Sequence, residues 1–483
     1  MSEIRFNRWS HQSGTGGIYQ DSSGNIGIGT SVPTSVLDIQ GGSIKIGSQE
    51  LNSSGVSTFT TVNATTLTGN LTGNVTGNLT GNVTGNLTGT ASTATAAATA
   101  YGISGSPTLS GITSVSTTNL TVNGNAYPAT GPLTNRNLII NGAMQVAQRG
   151  TTITDVGVDT FMLDRWKQFA SVGGQAGRST ATQEAITDLE GFRTALKLQV
   201  TTAETPAANE VYTINTRLEA QDILGLDIGG SNSKSLTLSF WAKAPTGNGT
   251  FCAGITMNGG GHYVEEVTIG TTWSRHIINI PATTTSSHAT TSTGNTAGME
   301  INITLMAGDT FDNATNGVWG SGTGNRATSN QTNFYSSTSN NLWITGVQLE
   351  VGSVATPFEH RSYGDELARC QRYYYRIRQT PGHNCAVAAG SVYSTTQVQA
   401  IVHFPVSMRE APSALEQTGT AGDYDTLSNG SLNICDQVPV FQNATTTMSY
   451  ITFNYSTSTV TAGSGAIGRL RGSTSYLAWS SEL

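Results

Sequence analysis

Charge is what this sequence lacks most. Only 11% of its 483 residues are Asp, Glu, Lys or Arg, against about 25% in an ordinary globular chain. Between Leu51 and Asn135 there is no Asp, Glu, Lys, Arg or His at all. With 23 basic and 30 acidic side chains and a net charge of -7, the chain has no electrostatic footprint for nucleic acid. Long apolar runs are also missing. No stretch of about 18 apolar residues is present to span a membrane, and the opening MSEIRFNRWSHQ lacks the apolar core of a secretory signal, so neither membrane insertion nor export by that route is expected. Cysteine is scarce: Cys252, Cys370, Cys385 and Cys435 are too few and too widely spaced for a zinc knuckle or a disulfide framework, and free, mostly buried thiols are expected. The glycines of GNIGIGTSVPTSVLDIQG (residues 24–41) do not follow G-x-G-x-x-G, and no amphipathic helix comes after them, which argues against a nucleotide site. No nucleophile elbow, H-E-x-x-H or Ser-His-Asp set is supported either. No catalytic residue, cofactor or metal ligand is therefore assigned.

What stands in the uncharged zone is a repeat, LTGNLTGNVTGNLTGNVTGNLTG, from Leu67 to Gly89. Thr, Gly and Asn rank low as helix formers, and a period of four overshoots the helical turn, so an extended chain suits the repeat better. In a strand, Leu67, Leu71, Val75, Leu79, Val83 and Leu87 share one face with the glycines, while Thr and Asn occupy the other. One such strand can neither bury its apolar face nor pair its own backbone, so it needs identical neighbours or a winding partner. Abundant Thr and Val with no net charge favour a rod over a floppy linker. Fully extended, residues 51–135 would reach on the order of 280 Å, which winding would shorten several-fold. Asn-X-Thr triplets within the repeat match a glycosylation sequon but are read as a by-product of the period.

Residues 24–41 alternate apolar and small side chains around Pro33, as short strands with tight turns do. From Arg136 charges, aromatics and β-branched runs return together, which marks a domain boundary. SLTLSFWAKA (235–244), TFCAGITM (250–257), RHIINIPA (275–282), MEINITLMA (299–307) and LWITGVQLEVG (342–352) each alternate with period two. QVQAIVHFPV (397–406) and MSYITFNYS (448–456) do the same in a second all-β unit. YGDELARCQRYYYRIR reads as one short helix running into a strand that places Arg372, Tyr374, Arg376 and Arg378 on one face.

Several segments, NLIINGAMQVAQRGTT (137–152), DRW (164–166), ITGVQLEVGSVATPFEHRSYGDELARCQRYYYR (344–376) and FPVSMREAP (404–412), resemble stretches that recur in tail-fibre and related receptor-binding virion proteins of tailed bacteriophages; residues 24–41 resemble their shaft repeats. The resemblance implies a mainly β, elongated homotrimer. In it, residues 1–30 attach to a phage tail or baseplate protein, 31–136 form the stalk, 137–360 form a carbohydrate-binding-like jelly roll, and 361–483 form a distal β domain that is also sandwich-like. It implies a virion protein, made in the host cytoplasm, that adheres to host surface polysaccharide such as lipopolysaccharide or capsule. A trimer would supply the stalk's missing neighbours, with Leu67, Leu71, Val75, Leu79, Val83 and Leu87 at its core. Whether that stalk is a three-stranded β rod or a wound triple chain stays open, since both use the same alternation.

Sugars are held by aromatic faces and planar polar side chains. Two regions combine these: the long loop 308–338, with Trp319, Arg326, Phe334 and Tyr335, and the distal unit, with Tyr393, His403, Tyr424, Tyr450, Tyr455, Tyr476 and Trp479. The distal unit is preferred, although any one of its aromatics can equally be core or subunit interface. The basic row of RYYYRIR could meet acidic glycans, decorate an edge strand, or face carboxylates of a neighbouring subunit. A depolymerase spike would need two convergent carboxylates; Asp155, Asp159, Asp164, Asp309 and Asp312 are the candidates, and surface positions, turns or a calcium site account for them more simply. A purely structural tail connector is the third reading.

Overall fold

The computed structural model describes residues 8–10, 17–40, 44–46, 49–51, 57–58, 120–122, 125–127, 135–171, 176–322, 324–379 and 385–483. The repeat and its expected core positions Leu67, Leu71, Val75, Leu79, Val83 and Leu87 lie outside them. The chain forms two compact units, residues 1–108 and 109–483.

In the first unit, strands Arg8–Ser10, Gly17–Gln20, Ile26–Ile28 and Leu37–Ile39 make one sheet in that order. The first three are antiparallel and the last runs parallel to its neighbour. The alternation expected for residues 24–41 is thus realised as two short strands joined through Pro33. Trp9, Ile18 and Ile28 stand in one cross-strand row, and all three are exposed.

The second unit begins with a two-sheet sandwich. Its strands are β1 (Thr152–Val156), β2 (Thr160–Leu163), β3 (Trp166–Ala170), β4 (Arg178–Ala185), β5 (Thr194–Thr202), β6 (Val211–Glu219), β7 (Leu236–Thr246), β8 (Gly249–Met257), β9 (Gly261–Ile269), β10 (Ser274–Ile280), β11 (Ala297–Ala307), β12 (Val318–Ser321) and β13 (Asn341–Val351). The six-stranded sheet has the order β1-β4-β5-β13-β7-β10 and the seven-stranded sheet β2-β3-β6-β11-β8-β9-β12. Period two decides which side chains enter the core. On β7, Leu236, Leu238, Phe240, Ala242 and Ala244 point inward, and on β8 Phe251, Ala253, Ile255 and Met257 meet them from the opposite sheet. Gly346 interrupts β13 with φ of +63°, and a Cβ there would lie 2.6 Å from the Phe192 ring. Only glycine accepts both the dihedral and the contact.

The distal region has its own core. Strands β14 (Tyr374–Arg378), β15 (Cys385–Ser394), β16 (Gln397–His403), β17 (Glu416–Gln417), β18 (Tyr424–Ser428), β19 (Ser431–Ile434), β20 (Val440–Ala444), β21 (Met448–Asn454), β22 (Gly465–Leu470) and β23 (Tyr476–Ser480) form a seven-stranded sheet, β19-β18-β22-β15-β16-β21-β20, and a three-stranded one, β14-β23-β17. Val398, Val402, Phe453, Leu470, Leu477 and Trp479 pack in the interior of this region. The expected helix is present at Tyr363–Gln371, capped by Ser362, whose Oγ accepts from Asp365 N at 3.1 Å.

Residues 137–166 and 361–376 brace the two regions together. Asn137 Oδ1 accepts from Ile139 N at 2.9 Å and Leu349 N at 3.2 Å, and Arg361 donates to the Ile139 carbonyl at 2.9 Å. Trp166 Nε1 donates to the Asn141 carbonyl at 3.0 Å, and Asn141 N donates to the helix's Glu366. Arg372 grips the buried Glu219 of β6 through Nε and Nη2 at 2.7 and 2.8 Å, and the Tyr373 hydroxyl reaches the same carboxylate at 2.6 Å. Arg149 lies 3.6 Å over the Tyr374 ring and Arg165 3.6 Å over Tyr373. Arg149 and Arg165 also both pair with Glu482. RYYYRIR is therefore a seam between two parts of one chain: the carboxylate that Arg372 meets is its own, while β14 is an edge strand, as one of the sequence alternatives had it.

Candidate functional site

In the middle of β6 and β11 the outward-facing Asn215, Arg217, Glu300, Asn302 and Thr304 are polar, whereas Ile214, Leu218, Met299, Ile301 and Ile303 enter the core. Register places Arg217 of β6 opposite Glu300 of β11, and Glu300 opposite Thr256 of β8. Arg217 Nη2 meets Glu300 Oε1 at 2.7 Å. Across the outer face runs the loop after β11, held by the Thr304 hydroxyl donating to the Arg326 carbonyl at 2.6 Å and by Arg326 N and Ala327 N both donating to the Phe311 carbonyl at 3.0 Å. The loop delivers Arg326, whose Nη2 takes the other oxygen of Glu300 at 2.7 Å and whose guanidinium lies 4.6 Å from the Phe169 ring.

The result is a cleft of about 300 Å³ lined by Phe169, Arg217, Asn258, Glu300, Phe311 and Arg326. Asn258 is exposed at its rim, with Nδ2 donating to Ser292 Oγ at 2.8 Å and the Ala297 carbonyl at 3.0 Å. Burial pushes the Glu300 carboxyl up, but Arg326 and Arg217 outweigh it and hold the group below the usual carboxylate range. Glu300 is thus fixed as an anion between two guanidiniums, which suits it to orienting donors and not to giving up a proton. Nearby, burial and then the Arg217 charge push the Lys167 ammonium down, against the pull of Asp159. Two aromatic rings beside planar guanidinium and amide edges can hold a polyhydroxylated ring by stacking and by hydrogen bonds to its hydroxyls.

The expected site residues are scattered. Arg326 lines the cleft. Trp319 is half-buried on β12, its Nε1 donating to the Pro281 carbonyl at 2.8 Å and its ring stacked on His288 at 5.2 Å, so it anchors the loop. Tyr335 is fully buried, with its hydroxyl on Gln168 at 2.6 Å. Tyr424 and Trp479 are likewise interior and offer a ligand no surface. The Tyr476 ring lies 3.6 Å beneath the Arg376 guanidinium. Tyr393 is 68% exposed and His403 is exposed too, but Val392 pairs with Val398 across the β15–β16 turn, leaving Tyr393 beside that turn and His403 at the far end of β16. The distal aromatics therefore do not converge. Of the candidate aspartates, Asp155 pairs with Arg178, Asp159 with Lys167, and Asp164 accepts from Gln148 N. Among the described residues no group of three or more His, Cys, Asp or Glu could hold a metal ion.

Sequence reasoning missed Phe169, Phe311, Arg217 and Glu300. The signal for two of them was present in the polar positions of alternating strands, Arg217 in TRLE and Glu300 in MEINI. A second aromatic cluster covers the outer face of the six-stranded sheet, with Trp241, Trp273, Trp343 and Phe192. Two of its three indoles are tied down, Trp343 Nε1 donating to Glu184 and Trp273 Nε1 to Asp188, which marks it as packing.

No protein-family model and no curated protein matches this sequence. Among solved structures, it is similar to a family 11 carbohydrate-binding module from Clostridium thermocellum in complex with a beta-1,3-1,4-mixed-linked tetrasaccharide, at 11% identity over 42% of this chain and 99% of that one, with a TM-score of 0.22. TmCBM61 in complex with beta-1,4-galactotriose is 11% identical over 45% of this chain and 99% of that one, with a TM-score of 0.23. The CBM22-1 xylan-binding domain from Paenibacillus barcinonensis Xyn10C is 8% identical over 42% of this chain and 94% of that one, with a TM-score of 0.21. Scores and identities this low carry no argument about ligand; the β-sandwich rests on the strand pairings themselves.

Proposed function

We propose that this chain is a non-catalytic, homotrimeric tail-fibre protein of a tailed bacteriophage, fixed to the virion by its N-terminal segment and adhering to host surface polysaccharide through its C-terminal regions. The observation that carries the glycan reading is the cleft on the seven-stranded sheet, where Phe169 and Phe311 flank Arg217, Arg326 and Asn258. This moves the proposed contact from the distal aromatics to the first sandwich. Glu300 is saturated by two guanidiniums, and among the described residues no second carboxylate lines the cleft, which supports adhesion over cleavage.

Two exposed apolar faces support self-association. One is the Trp9, Ile18, Ile28 row of the N-terminal sheet. The other crosses the distal seven-stranded sheet through Leu432, Leu427, Ile467, Ala389 and Ile401, which register places in one line. Leu432, Ile467 and Ile401 in that line are each at least 40% exposed. Identical copies would cover such faces, as they would the repeat's apolar edge. The test is binding of labelled full-length protein to candidate host cells before and after periodate oxidation of their sugars, with sedimentation run in parallel. The reading requires a trimer whose adhesion periodate abolishes. A monomer, or adhesion that survives periodate, overturns the corresponding half of it.

A further inference from the structure

Two arginines of RYYYRIR, Arg376 and Arg378, both serve the seam and line a groove beside it. Its volume is about 400 Å³, and Gln145, Gln183, Tyr363, Gln371, Arg376 and Arg378 line it, which falls within the roughly 300–1,000 Å³ of small-ligand sites. Arg376 Nη1 donates to the Arg149 carbonyl at 2.8 Å, and Arg378 Nη2 to the carbonyls of Ala147 and Gln148. Among the described residues neither guanidinium has a carboxylate partner within ion-pair distance, and the buried Nε of Arg376 has no hydrogen-bond partner. Burial first and then the neighbouring Arg376 charge push the Arg378 guanidinium down from its usual value, and the Asp164 charge offsets this only in part. Asp164, whose charge is felt at Arg378, is buried and accepts from Gln148 N. Gln145 and Gln371 sit in the wall as amides able to donate and accept. Tyr363, 57% exposed at the start of the helix, offers a ring at the rim.

We infer that this groove binds an acidic saccharide, with its carboxylate between Arg376 and Arg378, its hydroxyls on the glutamine amides and a sugar face on Tyr363. Charge-assisted bonds to two guanidiniums supply selectivity for the acid, and the ring supplies area without sequence of sugars being read. This site shares no residue with the Phe169 cleft, so it stands or falls independently of that cleft.

The test is calorimetric titration of the full-length protein with an oligogalacturonate and with a neutral galacto-oligosaccharide of the same length. The oligogalacturonate is expected to bind, more weakly as salt rises, and the neutral oligomer to bind at least tenfold more weakly in this groove. Gln371→Glu, which places an anion in the wall without touching the seam, should reduce oligogalacturonate affinity at least tenfold, and Tyr363→Ala several-fold. Phe169→Ala should leave it unchanged. Absence of oligogalacturonate binding, equal affinity for the neutral oligomer at this groove, or unchanged affinity in Gln371→Glu would overturn the inference; loss in Phe169→Ala alone would assign the acid to the cleft and overturn it as well.

Discussion

Replacing Glu219 by Gln should loosen the seam between the two parts of the second unit. Glu219 is fully buried, it holds Arg372 with two bonds of 2.7 and 2.8 Å, and it accepts from the Tyr373 hydroxyl at 2.6 Å. Removing one partner of a buried pair typically costs about 3–5 kcal/mol, because the other charge is left without compensation. Gln keeps the shape and one acceptor, and Arg372 retains some solvent, so the low end, about 3 kcal/mol, is expected. At roughly 2.1 cal/mol/K of unfolding entropy per residue, a unit spanning residues 109–483 loses about 1.3 °C per kcal/mol, so the melting temperature should fall by about 4 °C. Acidity gives the sign. Burial pushes the Glu219 carboxyl up, yet Arg372 and Tyr373 together hold it below its usual value. The unfolded chain then takes the proton first as pH falls, so the pair's contribution is complete above the ordinary Glu range near 4.3 and disappears as pH drops through the lower folded value. The deficit of Glu219→Gln relative to wild type should therefore be largest near neutrality and shrink below about pH 4. Calorimetric melts across that range decide the matter. A melting temperature within about 2 °C of wild type at neutral pH, or a deficit that grows on acidification, would refute the reasoning.

Gly346→Ala meets both a φ of +63° and a Phe192 carbon 2.6 Å away, so left-handed strain and overpacking should together cost roughly 2–5 kcal/mol in urea unfolding. Cys252, Cys370 and Cys435 are buried, and burial raises all three thiols, Cys435 to about 12; Ellman's reagent should leave them unreacted in the native protein and modify them on unfolding, with Cys385 the sole thiol open to early reaction. Leu71→Asp with Val75→Asp should dissociate or destabilise the trimer in sedimentation, since each would put a carboxylate on the proposed stalk's apolar edge.

Much of the fold was legible because period two is a local property. The five strands read between residues 235 and 352 appear within one or two residues of their expected bounds, and YGDELARCQRYYYRIR forms the expected helix and strand, except that Arg372 caps the helix instead of joining Tyr374, Arg376 and Arg378 on the strand. The cleft was not legible in the same way. Arg326 could be suspected from its loop, but its partners Glu300, Phe169 and Arg217 reach it only through sheet order β3-β6-β11 and a returning loop, which no local pattern encodes. Trp479 and Tyr424 illustrate the converse. Composition suggested a sugar-facing surface, whereas Trp479 shares its strand face with Leu477 and packs against Phe404 at 5.4 Å between ring centres. A large aromatic on an alternating strand goes to whichever face the rest of that strand buries.

Adhesion by full-length protein carrying Phe311→Ala, run beside Tyr393→Ala, tests the central claim most directly. Both side chains can be truncated without opening either core, since Phe311 is only half-buried at the cleft wall and Tyr393 is 68% exposed on the distal sheet. Binding to periodate-sensitive host cells should fall at least tenfold with Phe311→Ala and stay at the wild-type level with Tyr393→Ala. Undiminished binding by Phe311→Ala, with loss in Tyr393→Ala, would contradict the account and return the site to the distal domain.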